Sequence, residues 1–235
     1  MEPKSEPNKI SIPMAIIVAG VLVAGAVYFS SIKQEAIESN QGPKKDTVSL
    51  ENMRAVSSAE HIRGNVNAPV KIVEYSDIEC PFCKIFHATM QKVMDEYGKN
   101  GKVAWIYRHF PIDSRHPKAR KEAQATECAN ELGGNDKFWA YLDRIYEITP
   151  SNNGLSLALL PEIAKYVGLN VVDFNICINS DKYLDRIEDD LQNANVTGGL
   201  GTPWSIIITK NGKKYPVNGA QPYENIKQMI DFALQ

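Results

Sequence analysis

The chain has 235 residues, 43% hydrophobic and 23% charged, which excludes a disordered tail, a collagen-like repeat and a polytopic transporter. With 26 Lys and Arg against 28 Asp and Glu the net charge is −2, so nothing calls for a nucleic-acid partner or an acidic substrate. Four cysteines are too few for a miniprotein built on disulfides.

After a short head, residues 1–9, the 23 residues from Ile10 to Ile32 carry no charge. A helix of that length reaches roughly 35 Å, enough to cross a hydrocarbon layer of about 30 Å. A buried soluble helix would keep a polar stripe, and this stretch has none. The expectation is a transmembrane anchor in the lipid bilayer. Ala24-Gly25-Ala26 has the residue sizes of a cleavage site but is followed by apolar Val27-Tyr28-Phe29, so cleavage stays open. Flanking lysines on both sides leave orientation to size: a short head stays inside, while long domains cross largely regardless of charge. The bulk of the chain is thus expected on the extracytoplasmic side. Residues 33–58 are mixed polar and charged and read as a tether. Residues 59–235 are enough for one domain.

Within that domain Val70–Tyr75 alternates and is β-branched, a strand. Pro81–Tyr97 carries apolar residues at helical spacing, and Lys102–Phe110 is a second strand with Val103, Trp105 and Tyr107 on one face. Strand, helix, strand implies a parallel pair with a right-handed crossover. Helical segments follow at about 117–132, 137–148, 161–167, 171–178 and 181–194, an insertion of about 115–195, with Asn170 as a helix cap. Trp204–Thr209 and Lys214–Val217 are strands joined by Asn211-Gly212, a type I′ hairpin signal, and Asn225–Leu234 closes with a helix. A βαβ half, a helical insertion and a ββα half make an α/β sandwich.

Cys80-Pro81-Phe82-Cys83 stands where the first strand hands over to the first helix. At the helix start unpaired N–H groups and the helix dipole favour an anion, so the Cys80 thiol should ionise below its free value of about 8.5. Cys83, one turn on, is placed to close a disulfide and to act as the resolving thiol. Pro81 costs no hydrogen bond at that position. Two other readings compete: half a zinc site, for which no second CxxC or close His pair is present, and an inert structural disulfide. His87, His109 and His116 are too dispersed for a metal site, and no metal is expected.

Arg63-Gly64-Asn65, Ala68-Pro69-Val70, Glu74-Tyr75-Ser76-Asp77 and Cys80-Pro81-Phe82-Cys83 together resemble the thioredoxin-fold DsbA-like thiol–disulfide oxidoreductases, most of all the membrane-anchored bacterial branch with a helical insertion. The likeness continues through Arg108-His109-Phe110-Pro111, Lys137-Phe138-Trp139, Gly201-Thr202-Pro203 and Gly219-Ala220-Gln221-Pro222. It implies a thioredoxin fold, Pro203 as a cis-proline facing the cysteines, and a Thr202 backbone free to pair with an extended substrate beside Pro81 and Phe82. Glu74 falls where the family keeps a buried acid that exchanges a proton with Cys83. An ordinary exposed strand residue is the alternative for Glu74, and Asp77 is the rival acid. Phe82 replaces the histidine of strongly oxidising relatives and donates no hydrogen bond, so a thiol pKa lowered less than the extreme is expected.

The resemblance also implies pairing of Cys128 with Cys177, which would otherwise pass as small buried hydrophobes. The implied activity is disulfide formation in unfolded or cysteine-containing extracytoplasmic proteins through a mixed disulfide. It needs no diffusible cofactor beyond the Cys80–Cys83 pair and relies on a membrane redox partner for recycling. A reductase or isomerase using the same site, or a peptide-binding chaperone module, remains open.

Overall fold

The computed structural model describes residues 48–235. Five strands, β1 (His61–Gly64), β2 (Val70–Ser76), β3 (Val103–His109), β4 (Trp204–Ile208) and β5 (Lys214–Asn218), form one sheet in the order β1-β3-β2-β4-β5. β2 and β3 are parallel, with Ile72 opposite Trp105, and the remaining pairs are antiparallel. The crossover between them is α1 (Pro81–Val93), whose chain continues through a wider turn at Met94–Gly98. The insertion comprises α2 (Ala119–Ile148), α3 (Leu160–Tyr166), α4 (Val171–Ile178) and α5 (Leu184–Val196), and α6 (Tyr223–Ala233) completes the domain.

The strand alternation divides the core into two layers. Val70, Ile72, Val103, Trp105 and Tyr107 face α1, α2 and α6, where Phe86, Met90 and Ile230 are fully buried. Each such side chain contributes about 1.5–3 kcal/mol by leaving water. On the other face Val73, Tyr75, Ile106 and Ile206 pack with Ala194 of α5 and with Met53. The two helical stretches expected over 117–132 and 137–148 form one long element broken at Gly134, whose φ of 73° suits a residue without a Cβ.

One element is unforeseen and two expectations are corrected. β1 carries no alternation to announce it; it forms because its side chains are claimed by the insertion, with His61 stacked on Phe138 at 3.6 Å and Arg63 lying 4.3 Å from the Trp139 ring centre. Residues 48–58, assigned to the tether, are packed on the domain. Ser49 N–H donates to Val196 O at 2.9 Å, the Arg54 guanidinium meets Asp190 at 2.5 Å, and fully buried Arg108 donates to Arg54 O at 2.9 Å. These contacts are mostly polar and distant in sequence, so no apolar period reveals them. Finally, the β4–β5 connection is not a two-residue type I′ turn. Gly212 N–H bonds Thr209 O and Thr209 N–H bonds Lys213 O, with only Gly212 at positive φ (81°), which is the three-residue hairpin ending in a glycine bulge.

The anchor expected over residues 10–32 lies outside the described residues; among those described, no helix is long and apolar enough to cross a membrane. Cys128 on α2 and Cys177 on α4 form a disulfide across 49 residues, joining two helices of the insertion. Replacing both with alanine should lower unfolding free energy by about 2–5 kcal/mol, measured by denaturant titration, while leaving Cys80 alkylation unchanged.

Candidate active site

β2 ends at Ser76, and a tight loop held by Cys80 N–H to Asp77 O (3.1 Å) delivers Cys80 to the N-cap of α1 with Pro81 at its first position. The Cys80 side chain does not cap the helix itself. The helix therefore presents its free N–H groups to the sulfur. Cys80 ionises at about 6: the hydrogen bond from Cys83 lowers it most, burial opposes, and Thr202 with the N–H groups of Cys83 and Phe82 adds to the lowering. Both thiols are free, and Cys80 retains 6% exposure whereas Cys83 has none. Burial and the neighbouring Cys80 push the Cys83 thiol well above its ordinary value. The two sulfurs are thereby differentiated into a ready nucleophile and a thiol that must lose its proton to act.

Beneath Cys83 lies Glu74, on the same face of β2 as Ile72 and Ser76 and fully buried. It is not an exposed strand residue. Trp105 Nε1–H donates to its Oε2 at 2.9 Å, but burial dominates and raises the carboxyl to about 7, with Ser76 and Trp105 partly offsetting. A carboxyl that titrates near neutrality is thus placed close to the buried Cys83 thiol. The rival Asp77 touches Cys83 through its backbone, whose N–H donates to Sγ at 3.4 Å. Its carboxylate is committed elsewhere, accepting from Glu79 N–H (2.9 Å) and Ile112 N–H (2.8 Å) and meeting His116 Nδ1 (2.9 Å).

The facing wall is the Thr202–Pro203 bond, which is cis. Thr202 O lies 3.5 Å from Cys80 Sγ, and among the described residues no backbone hydrogen bond occupies the Thr202 N–H. Phe82 and Ile85 on α1 and Leu200 before the cis bond are exposed apolar side chains close in sequence to the dithiol and to Pro203.

The sequence reading passed over several buried groups near this loop. Glu79, adjacent to Cys80, takes Asn153 N–H on its carboxylate (2.6 Å) and Asn152 N–H on its carbonyl (2.8 Å). Its neighbour Glu122 is pushed up to about 9, by burial first and then by Glu79. The histidines are less dispersed than expected: His109 and His61 converge on Glu127 Oε1 at 3.0 and 2.7 Å. Arg186 Nε lies 2.8 Å from the same oxygen, so this buried carboxylate is shared by two imidazoles and a guanidinium. His87 and His116 are buried and each meets an aspartate, Asp143 and Asp77. Lys118 donates to Asn153 O and Leu155 O, both at 2.7 Å. No periodic or motif signal marks these partners. Ser76 is the exception, standing two residues from Glu74 on one strand.

A βαβ and ββα sheet carrying a dithiol at the first helix start opposite a cis-proline defines the thiol–disulfide oxidoreductase fold. The family model described as Thioredoxin matches residues 57–232, and the chain belongs to that family. Among solved structures it is similar to Pseudomonas aeruginosa DsbA2, with 26% identity and a TM-score of 0.65 over 76% of this chain and 96% of that one. Similarity to Wolbachia pipientis alpha-DsbA1 is 25% in sequence with a TM-score of 0.67, over 79% and 95% of the two chains. It is also 29% identical over 173 residues to a Na(+)/H(+) antiporter NhaA 1 of Mycolicibacterium gilvum, a match covering 72% of this chain and 26% of the relative. The chain thus spans about a quarter of the length of the curated relatives it matches.

Alkylation of reduced protein by iodoacetamide should follow a titration centred near pH 6 and be close to its plateau at pH 7.5. Cys83→Ala, which removes the largest stabilising contact, should move that midpoint upward. Glu74 gives a stability test of opposite character. Its carboxyl is raised in the fold, so the fold binds more protons than the unfolded chain between about 4.5 and 7 and loses stability as pH rises through that window. Glu74→Gln should therefore stabilise the protein at pH 8 relative to pH 4, by at most about 3 kcal/mol in denaturant titrations.

Proposed function

We propose that this protein exchanges disulfides with other proteins through Cys80, in the direction of disulfide formation. The observation that carries the reading is the unequal pair: a Cys80 thiol at about 6 at the mouth and a fully buried Cys83 behind it. A substrate thiolate attacks Cys80 of the oxidised pair, the Cys80–Cys83 bond breaks, and Cys83 leaves and takes a proton. A second substrate thiolate then attacks the substrate sulfur of the mixed disulfide, releasing oxidised substrate and the Cys80 thiolate. The stabilised thiolate favours the reduced form of the enzyme, which is what makes a pair oxidising.

Unfolded or cysteine-bearing chains suit this mouth. An extended segment can pair with the free Thr202 backbone while Phe82 and Leu200 hold its apolar side chains. The dithiol so produced requires reoxidation by a membrane redox partner. The charge-free run at residues 10–32 supports an anchored, extracytoplasmic location, and the Cys128–Cys177 bond is of the kind that persists in oxidising compartments.

Cys80→Ser should abolish oxidation of a reduced model protein, followed by thiol counting, while Cys83→Ala, mixed with the oxidised model protein, should accumulate a mixed disulfide through Cys80. Equilibration with glutathione buffers should place the pair between thioredoxin and DsbA, between about −270 and −120 mV. A potential at or below the thioredoxin value, together with rapid reduction of insulin, would assign the protein to reduction instead.

A further inference from the structure

Glu74 and Cys83 act on one another through space, and no hydrogen bond joins them directly. The Ser76 hydroxyl, on the same face of β2 as Glu74, is near enough to both the Glu74 carboxyl and the Cys83 thiol to favour the charged form of each. All three are shielded from solvent, with Ser76 1% exposed and the other two fully buried. Glu74 Oε1 has no hydrogen bond at rest, while its Oε2 is taken by Trp105. The Ser76 Oγ is fixed from behind by Tyr146 OH at 3.0 Å, and Tyr146 OH itself lies 3.4 Å from both Tyr107 OH and Asp77 O. Strand geometry explains the placement. Residues two apart on β2 share a face, so Ser76 stands beside Glu74 and directly before the loop that carries the cysteines.

We infer that Ser76 is a catalytic residue, a hydroxyl bridge that passes the proton between the Cys83 sulfur and the Glu74 carboxylate, with Tyr146 as the residue that positions it. The inference rests on the dithiol reading above and deepens it. When Cys83 resolves a mixed disulfide at Cys80, its S–H proton goes to Ser76 Oγ as the Ser76 proton goes to Glu74 Oε1. The Cys83 thiolate bonds to Cys80 Sγ, and the Cys80 bond to the departing sulfur breaks with the electron pair leaving on that thiolate. In the opposite direction Cys83 is the leaving group, and the same two transfers run backwards. A hydroxyl has one proton and two lone pairs, so when Tyr146 is the donor of the hydrogen bond they share, the serine proton is free to turn toward either partner. No water need enter the layer, and both directions of electron flow use the same route.

The test uses reduced full-length protein mixed with dithiobis-nitrobenzoate. Attack by Cys80 releases one coloured thiolate, and attack by Cys83 on the resulting mixed disulfide releases a second, so the two steps are read separately. Ser76→Ala should leave the first phase and the Cys80 alkylation midpoint as in the parent. It should slow the second phase about tenfold or more, the scale of a lost general acid–base contact, and remove the inflection that Glu74 imposes near pH 7. Ser76→Thr, which keeps the hydroxyl, should restore both, and Tyr146→Phe should fall between. An unchanged second phase in Ser76→Ala, or a slowed phase that keeps the parent pH profile, overturns the bridge. Absence of the first phase in the parent protein would instead refute the dithiol reading on which it rests.

Discussion

Removing one sulfur of the pair from water is the constraint on which the rest of the site depends. A thiol with no solvent contact cannot ionise unaided, because its thiolate would face an apolar floor of Ile72, Phe86 and Trp105. Cys83 is held as a neutral donor, and its hydrogen bond makes Cys80 acidic. The two effects are one interaction seen from its two ends. The cost of hiding Cys83 is what prepares Cys80, and it creates the need for a buried group such as Glu74 that changes charge near neutrality.

Around that floor the insertion acts as a clamp. Asp77 and Glu79 flank Ile78 just before the dithiol and point their carboxylates into different parts of the chain. Asp77 grips Ile112 and His116, while Glu79 grips the turn at Asn152 and Asn153, where Ser151, Asn152 and Asn153 all have positive φ. Three consecutive non-glycine residues in that conformation persist only where surroundings over-determine them. Lys118 donating to Asn153 O and Leu155 O supplies part of that restraint from the start of α2. The cysteine loop is thereby pinned from the insertion side, while the sheet pins it from below. Buried polar contacts of this kind add little net stability, yet removing one partner leaves the other unpaired and is costly, which makes them suited to fixing a register.

The parts legible in the sequence are those written in a local period or a fixed spacing. β2, β3 and α1 follow from alternation and helical spacing over contiguous residues, and the CxxC at their junction needs no tertiary knowledge. Pro203 and Glu74 were named only because the chain resembled a family; their own neighbours in sequence say nothing of the sulfur they face. What stayed hidden is polar and long-range. β1 exists because Glu127 and Phe138 receive His61, and residues 48–58 pack because Arg108, deep in the sheet, takes Arg54 O and Glu60 as partners. His61, His109, Glu127 and Arg186 come from four separate segments, a constellation that no window of sequence contains.

The four cysteines show how far environment outweighs residue type. Cys128 and Cys177 are buried between α2 and α4, remote from any helix start, and their bond ties down a segment whose core would otherwise rest on short helices of seven and eight residues. Cys80 and Cys83 differ from them in position alone: one at a helix N-cap beside a chain reversal, the other a turn behind it over a titrating acid. A bond between the first pair is held by burial on both sides. In the proposed exchange a bond between the second pair has one sulfur, Cys80, within reach of an incoming thiolate, and once the mixed disulfide has formed that same low-pKa sulfur is the leaving group of the next step. The same chemical link is therefore a staple in the insertion and an exchangeable bond past the end of the central strand, and the difference is fixed by where β2 ends.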